Sequence, residues 1–320
     1  MGRAEARRQG RCPATRFLSG AAFRVAPLFL SVAFIAGAQT PEPPDKNFQI
    51  SVDLNLVVLP VTVRDRNGGF ASGLTKDNFD VYEDGAKQSI RLFQHEDIPV
   101  TAGIVVDHSG SMTAKMPDVV AAAEKFAALS NPQDQMFVVN FNEQTTLGLP
   151  SDVPFTHFAT LLRDAIEDAP TAGETALYDA LDLALDRLNA GKPSKKVLVV
   201  FSDGGDNASK TTLQEVLRRA ARSNAIIYTI GIFSPDDPDQ NAGVLKHLAK
   251  ETGGEAFFPQ AYKDAAEICA RIAKDIRNQY TLGYISTDTN PGGYRRVKVV
   301  AHAPGRDLRV RTRAGYEAAP

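Results

Sequence analysis

The chain has 320 residues, of which 43% are hydrophobic and 23% are charged, and its formal net charge is −2 at pH 7. These values are ordinary for a soluble globular protein, and the length suits one large domain or two smaller ones. A chain of this length buries enough apolar surface to fold without cross-links, which excludes a small scaffold held together by disulfides or a structural metal.

The first 38 residues have the pattern of an export signal. A start rich in arginine precedes an apolar stretch at residues 25–35, and Ala36-Gly37-Ala38 is the small-x-small pattern after which signal peptidases cut. The stretch is too short for a permanent membrane span. We therefore expect cleavage after Ala38 and an exported protein, periplasmic or secreted, with no stable membrane span after cleavage; an uncleaved signal anchor is the alternative.

Cleavage changes both the charge and the cysteine content. Six arginines and one glutamate leave with the signal, so the net charge moves from −2 to −7, which gives no support to nucleic acid as a partner. Cys12 leaves as well, and Cys269 remains alone. An exported fold with one cysteine does not depend on an internal disulfide.

The mature chain opens with a linker and a β segment. Residues 39–47 contain three prolines among polar residues and predict a linker, and residues 48–96 predict an N-terminal β segment because apolar residues alternate along its first third. Within it, strands at Phe79–Tyr82 and Ile90–Phe93 flank an Asp-Gly pair. This pattern predicts that the two strands form a hairpin.

Strands and helices alternate between residues 97 and 278. Val100–Val106 is a continuous apolar run, typical of a strand that is covered on both faces. The later strands are expected at 136–141, 145–149, 197–201, 226–232 and 256–258, and the helices at 114–129, 158–166, 177–188, 213–222, 244–249 and 265–276. Strands separated by helices predict an α/β fold, a doubly wound and mainly parallel sheet with helices on both faces.

The chain returns to β structure at residues 279–316, with strands expected at 280–284, 296–300 and 308–311. Two or three strands are not stable without a partner surface. We therefore expect this C-terminal β segment and the N-terminal one to pair into one small β domain, with the α/β unit inserted between them. Two separate β appendages are the alternative.

Oxygen-bearing side chains follow two of the predicted strands. Asp107, Ser109 and Ser111 stand at alternating positions directly after the first strand of the α/β unit, and Asp203 follows the strand at 197–201. Thr175 lies just before the helix at 177–188. In open α/β sheets, ligands bind beyond the carboxyl ends of the strands, where the winding direction reverses.

The order Asp-x-Ser-x-Ser, then Thr, then Asp resembles the von Willebrand factor type A (VWA) domain and its metal-ion-dependent adhesion site (MIDAS). The resemblance covers roughly residues 97–278 and includes all five ligand positions: Asp107, Ser109, Ser111, Thr175 and Asp203. It implies a Rossmann-like sheet with the site between its first and fourth strands. It also implies a bound Mg²⁺, or Mn²⁺ or Ca²⁺, and a protein partner that offers an acidic side chain, Asp or Glu.

Hydroxyl ligands explain why such a site binds a partner. Mg²⁺ and Ca²⁺ need six or more oxygen ligands. Neutral hydroxyls leave the ion under-neutralised and with a vacant position, which an outside carboxylate fills. We expect a metal-dependent protein-binding module, acting in adhesion or in assembly of an envelope complex, and not an enzyme. His108 occupies a variable position within the motif, and we expect it to be exposed and not a ligand.

Further residues are candidates for a rim that selects the partner. Asp236, Asp237 and Asp239 lie in the loop after the strand at 226–232, and Asn142 follows the second strand of the unit. All four should lie at the same edge of the sheet as the metal ligands. An ordinary solvated loop explains them equally well.

Two other functions stay open. The first is a structural scaffold whose metal site is empty. The second is a metal-dependent hydrolase or phosphatase, because an Asp after the first strand of a doubly wound sheet also resembles the nucleophile of haloacid-dehalogenase-type phosphatases. Those enzymes need a second acid where Ser109 stands, and the chain has no Gly-x-Ser-x-Gly elbow of a serine hydrolase. The partner, the preferred ion and the oligomeric state stay open as well.

Overall fold

The structure is a computed structural model that describes residues 56–95, 97–234 and 239–318. The expected signal peptide, the linker and the start of the N-terminal β segment lie outside the described residues. The described residues belong to one compact unit that spans residues 51–320. None of the helices in the described part combines the length and the apolar character needed to cross a membrane.

The described residues contain fourteen strands and six α-helices. The strands are β1 (Leu56–Asp65), β2 (Phe79–Glu83), β3 (Ala86–Gln88), β4 (Ile90–Gln94), β5 (Val100–Asp107), β6 (Gln135–Phe141), β7 (Thr145–Leu147), β8 (Lys195–Ser202), β9 (Ala225–Gly231), β10 (Ala256–Phe257), β11 (Tyr280–Ile285), β12 (Tyr294–Ala301), β13 (Leu308–Arg311) and β14 (Gly315–Glu317). The helices are α1 (Met116–Ala128), α2 (Ala159–Glu167), α3 (Leu177–Ala190), α4 (Leu213–Ser223), α5 (Ala242–Thr252) and α6 (Ala265–Arg277).

The α/β unit is built on a six-stranded sheet in the order β10-β9-β8-β5-β6-β7. All pairs are parallel except β6 with β7. Every residue of β5 is buried, because helices cover both faces: α1 packs against α2 and α6, and α3 packs against α4, which contacts α5. The predicted doubly wound, mainly parallel sheet is confirmed.

The winding direction reverses at β5. This strand pairs with β6 on one side and with β8 on the other, so the first and fourth strands of the unit are neighbours. Their carboxyl ends, Asp107 and Ser202, therefore lie side by side at one edge of the sheet. This is the edge at which doubly wound sheets bind ligands.

The remaining strands form two four-stranded antiparallel sheets, ordered β13-β1-β11-β4 and β14-β12-β2-β3. Each sheet contains strands from before and after the α/β unit: β1 pairs with β11 and β13, and β2 pairs with β12. Side chains from both sheets share a second hydrophobic core, separate from that of the α/β unit. The expected pairing of the two β segments is confirmed by these strand pairings.

The expected hairpin between Phe79–Tyr82 and Ile90–Phe93 is wrong. β2 pairs instead with the short β3 across a turn at Asp84 and Gly85, both of which have positive φ. β4 belongs to the other sheet, where it pairs with β11. The sequence prediction missed β3 and β14 because three residues are too few to show a periodic pattern.

A buried acid ties the last helix of the α/β unit to the β sheets. Asp275 of α6 accepts hydrogen bonds from Tyr228 Oη at 2.5 Å and from the guanidinium of Arg64 at 3.1 Å. It also forms an ion pair with Arg311 of β13. A third cation lies at the same end of the helix: Lys195 donates from Nζ to the carbonyl of Ile276. We call this set of residues around Asp275 the junction cluster.

Candidate metal centre

Asp107 is held in a fixed orientation at the end of β5. The backbone N–H of Ser109 donates to Oδ1 at 2.9 Å, and the hydroxyl of Ser202 donates to Oδ2 at 2.7 Å. The carboxyl group is buried. Burial first, and the nearby charge of Asp203 second, raise the pKa of Asp107 to about 6. The folded protein therefore holds an anion that its own surroundings disfavour.

Ser109, Ser111 and Asp203 form a chain of oxygens. The hydroxyl of Ser111 donates to Oδ2 of Asp203 at 2.7 Å, and the hydroxyl oxygens of Ser109 and Ser111 lie 3.2 Å apart. Ser111 lies in a 3₁₀ turn, residues 110–115, that precedes α1. Its side chain is exposed, whereas Ser109 and Asp203 are buried, so the cluster reaches the surface at Ser111.

Thr175 joins this group through its backbone. Its N–H donates to Oδ1 of Asn207 at 2.9 Å, and its carbonyl accepts from the N–H of Asn207 at 3.0 Å. The preceding loop meets the motif directly, because the N–H of Gly110 donates to the carbonyl of Gly173 at 3.2 Å. The structure thus connects the three predicted ligand segments, those after β5, before α3 and after β8.

These residues fit a hydroxyl-rich cation site. In octahedral coordination at the Mg²⁺–oxygen distance, neighbouring ligand oxygens lie about 2.9 Å apart. The 2.7 and 3.2 Å separations along the Ser109–Ser111–Asp203 chain bracket that spacing. Within the described ranges, no group of three His, Cys, Asp or Glu side chains is placed to hold a metal. A site here would therefore depend on the serine and threonine oxygens as much as on the two acids.

Lys115 is a residue of this region that the sequence reading did not identify. Its side chain is 1% exposed, and its Nζ donates to the carbonyl of Ile232 at 2.7 Å. The same Nζ lies 4.0 Å from Oδ2 of Asp203. A lysine ammonium group thus lies beside the candidate ligands, under the surface of the site.

His108 is buried, so the expectation that it is exposed is wrong. Its Nε2 lies 3.1 Å from Oδ1 of Asn140, and its Nδ1 lies 3.4 Å from the hydroxyl of Thr171. Burial lowers the pKa of the imidazole. These contacts place the ring beneath the motif loop, among residues of β6 and of the loop before α3, where it supports the loop.

The structure describes two of the four predicted rim residues. Asn142 accepts from the N–H of Gln144 through its side chain at 2.9 Å and from the N–H of Ala176 through its carbonyl at 2.7 Å, so it adjoins the Thr175 segment. Asp239 is exposed, and its carbonyl packs against Gly205, two residues after Asp203. Asp236 and Asp237 lie outside the described residues.

Glycine is needed directly after Asp203. Gly204 has a φ of +81°, and an added Cβ would clash with the carbonyl of Asn241. Asn241 in turn donates its N–H to the carbonyl of Asp203 at 2.8 Å. The turn that positions Asp203 is therefore packed tightly against the start of α5.

Two further polar residues support the centre. Ser202 orients Asp107, and its position immediately before Asp203, at the end of an apolar strand, is a sequence signal that points to it. Asp206 accepts hydrogen bonds from the N–H of Tyr178 at 3.2 Å and from the hydroxyl of Ser209 at 2.5 Å. It caps the first turn of α3, next to Thr175, and so stabilises the helix that follows the third ligand segment.

The sequence model of the von Willebrand factor type A domain matches residues 103–271, more than half of the chain. The chain belongs to this family. The match begins within β5, runs through the three segments of the candidate centre and ends within α6. The matched residues lie within the α/β unit described above, and the strands of the two antiparallel sheets lie outside the match.

Solved structures of several VWA domains are similar to this chain. A VWA protein from Catenulispora acidiphila is 14% identical with a TM-score of 0.46, and the alignment covers 83% of this chain and 73% of that one. An aerotolerance-related membrane protein from Bacteroides fragilis is 16% identical with a TM-score of 0.44, over 55% of this chain and 98% of that one. Proximal thread matrix protein 1 of the mussel byssus, in a structure with a zinc-occupied MIDAS motif, is 14% identical with a TM-score of 0.46, over 57% and 49%.

A search of curated proteins found no match.

Proposed function

We propose that this VWA protein is a metal-dependent protein-binding module. In this proposal Asp107, Ser109, Ser111, Thr175 and Asp203 hold a divalent cation, Mg²⁺ or alternatively Mn²⁺ or Ca²⁺, and the cation takes an acidic side chain of a partner protein as its last ligand. The observation that carries the proposal is the chain of oxygens from Ser109 through Ser111 to Asp203, at the point where the sheet reverses its winding.

The charges of the residues explain why an acidic partner would bind. Three of the five proposed ligands are neutral hydroxyls, and a metal ion there is under-neutralised by its own site. Ser111 is exposed, so an approaching carboxylate reaches the oxygen cluster from solvent. Asp107 is buried beneath it and holds the serines in place through the N–H of Ser109.

We propose the same division of the chain that the sequence suggests. Residues 1–38 are a signal peptide, 39–47 a linker and 97–278 the VWA domain, with the β segments 48–96 and 279–316 forming the second domain. In this proposal the protein is exported to the periplasm or secreted. The rim of the binding surface is formed by Asn142 and by the 234–240 loop with Asp236, Asp237 and Asp239.

Titration of the purified protein with Mg²⁺ and Mn²⁺ in a calorimeter tests the metal site. We expect binding by the wild type and a loss of at least hundredfold in affinity in the double variant Ser109→Ala/Ser111→Ala. Thr113→Ala is the matched control, because Thr113 lies in the same 3₁₀ turn but donates to the carbonyl of Gly110 at 3.0 Å. Absence of heat with the wild type would favour the scaffold with an empty site.

Capture from an envelope extract tests the partner. The immobilised protein should retain a partner in Mg²⁺ and release it in EDTA, while the double serine variant retains none. Blocking exposed carboxylates of the extract by amidation should abolish retention. Retention that is the same in EDTA and in Mg²⁺ would contradict a metal-bridged contact.

The proposal describes binding without a chemical reaction. A short panel of phosphatase and esterase substrates should therefore give no turnover above that of the Asp107→Asn variant. Robust turnover that Asp107→Asn abolishes would replace the binding proposal by the hydrolase or phosphatase reading.

A further inference from the structure

Lys115 brings an ammonium group next to one of the proposed metal ligands. Its Nζ is 4.0 Å from Oδ2 of Asp203, the same oxygen that accepts the hydroxyl of Ser111. The side chain is 1% exposed. Because the interior screens charge poorly, an ammonium group at this distance acts strongly on the ligand set.

The position of this lysine has a structural consequence as well. Lys115 is the last residue of the 3₁₀ turn that carries Ser111, and its ammonium group reaches the carbonyl of Ile232 just after β9 and the carboxylate of Asp203 just after β8. One side chain therefore connects three segments at the ligand-binding edge of the sheet. A buried ammonium group is unfavourable unless hydrogen bonds and opposite charge compensate for it, and this site supplies both.

We propose that Lys115 is the internal cation of the site. In the metal-free protein its charge offsets that of the buried Asp203 and holds the ligand segments together. When a divalent ion binds, the same charge repels it and lowers its affinity. Lys115 thus limits the affinity of the site for the metal, so that the bound ion is released more readily. This inference rests on the proposed function, since it concerns the same metal.

A second, partly buried lysine provides the control. Lys195 also donates from Nζ to a backbone carbonyl, that of Ile276, and burial lowers its pKa to about 8. It lies at the first residue of β8, at the opposite end of that strand from Asp203. Replacing it removes the same chemical group from a similar environment without touching the candidate centre.

The experiment compares the wild type with Lys115→Met and Lys195→Met. Two quantities are measured: the Kd for Mn²⁺ by calorimetry, and the Tm in EDTA and in saturating Mn²⁺. For Lys115→Met we expect a Kd at least tenfold lower than that of the wild type. We also expect a lower Tm in EDTA that Mn²⁺ restores to the wild-type value. For Lys195→Met we expect an unchanged Kd and the same change of Tm in both buffers.

Lys115→Gln covers the case in which the Met variant does not fold, because it is neutral but keeps an N–H donor for the carbonyl of Ile232. A Kd for Mn²⁺ in the folded Met or Gln variant that equals or exceeds that of the wild type would overturn the internal cation and leave the proposed function standing. Absence of Mn²⁺ binding by the wild type and by both Lys115 variants would overturn the two proposals together.

Discussion

The junction cluster and the candidate centre both contain buried acids, but in different surroundings. In the junction cluster, Asp275 is surrounded by cationic and neutral donors: Arg311, Arg64 and the hydroxyl of Tyr228. In the candidate centre, Asp107 and Asp203 are bound by serine hydroxyls and backbone N–H groups, with Lys115 at 4.0 Å from Asp203.

The difference indicates in which of these two regions the negative charge of the acids is already offset. Asp275 has its charge offset by arginines of the β sheets and therefore serves to join two parts of the fold. The centre has two acids, and burial together with mutual repulsion raises the pKa of one of them to about 6. A pair of acids held in that state, at an exposed edge, gains from a further cation.

Replacing the junction acid should have the largest effect. Asp275→Asn removes the buried carboxylate that Arg311 and Arg64 share and leaves them only Glu255, at 3.8 and 3.6 Å. Breaking a buried ion pair in this way costs up to about 3–5 kcal/mol of unfolding free energy. Urea unfolding in EDTA measures this loss of unfolding free energy. The Kd for Mn²⁺ should not change, because the junction cluster and the candidate centre share no residue.

The control for this prediction is Asp186→Asn. Asp186 forms an exposed ion pair with Arg219, and such pairs contribute about 1 kcal/mol or less. If Asp275→Asn destabilises the protein no more than Asp186→Asn, the junction cluster is not the structural contact described here.

The corresponding substitution in the candidate centre, Asp107→Asn, should have the opposite effect on the unfolding free energy. The folded-state pKa of Asp107 is raised above the ordinary carboxyl value, so its ionisation opposes folding as the pH rises through about 6. A neutral amide avoids that penalty. Asp107→Asn should therefore keep or raise the unfolding free energy in EDTA at pH 7, by up to about 3 kcal/mol, while the affinity for Mn²⁺ falls at least hundredfold.

Both readouts are needed to interpret this variant. A loss of stability in EDTA as large as that of Asp275→Asn would show that Asp107 is a structural acid. Retained Mn²⁺ affinity in the folded variant would remove Asp107 from the ligand set.

The smallest predicted effect is a pH dependence at the junction. Burial, with a further contribution from Arg277, lowers the pKa of Lys195 to about 8, below its ordinary value of 10.5. Between these values the unfolded chain holds a proton that the folded one has lost, so the contribution of Lys195 to stability rises with pH. The unfolding free energy of the wild type relative to Lys195→Met should increase by about 2 kcal/mol from pH 7.5 to pH 10.

Taking the difference between the two proteins cancels the titration of the tyrosines, which also changes stability in this range. A flat or falling difference would mean that Lys195 is well solvated in the folded state.

Much of the α/β unit could be predicted because its strands are long apolar runs separated by amphipathic helices. The apolar run Val100–Val106 predicts a strand buried on both faces, and every residue of β5 is buried. The order of the strands does not follow from such patterns, but family resemblance placed the first strand next to the fourth, and the sheet has β5 beside β8.

The features that the sequence did not reveal depend on contacts between distant residues. His108 is buried because Asn140, 32 residues away, approaches its ring. Lys115 is buried because Ile232, 117 residues away, offers its carbonyl. A single histidine or lysine in a loop or turn carries no local sign of such a partner. The hairpin prediction for β4 is wrong for the same reason, since its true partner β11 follows the α/β unit in the sequence.

The most direct test of the account is an anomalous difference map from a crystal soaked in millimolar Mn²⁺. We predict one strong peak in contact with the oxygens of Ser109, Ser111 and Asp203, and no peak there in the Ser109→Ala/Ser111→Ala variant. A wild-type map without a peak among these side chains, from crystals that tolerate the soak, would contradict the metal-dependent function.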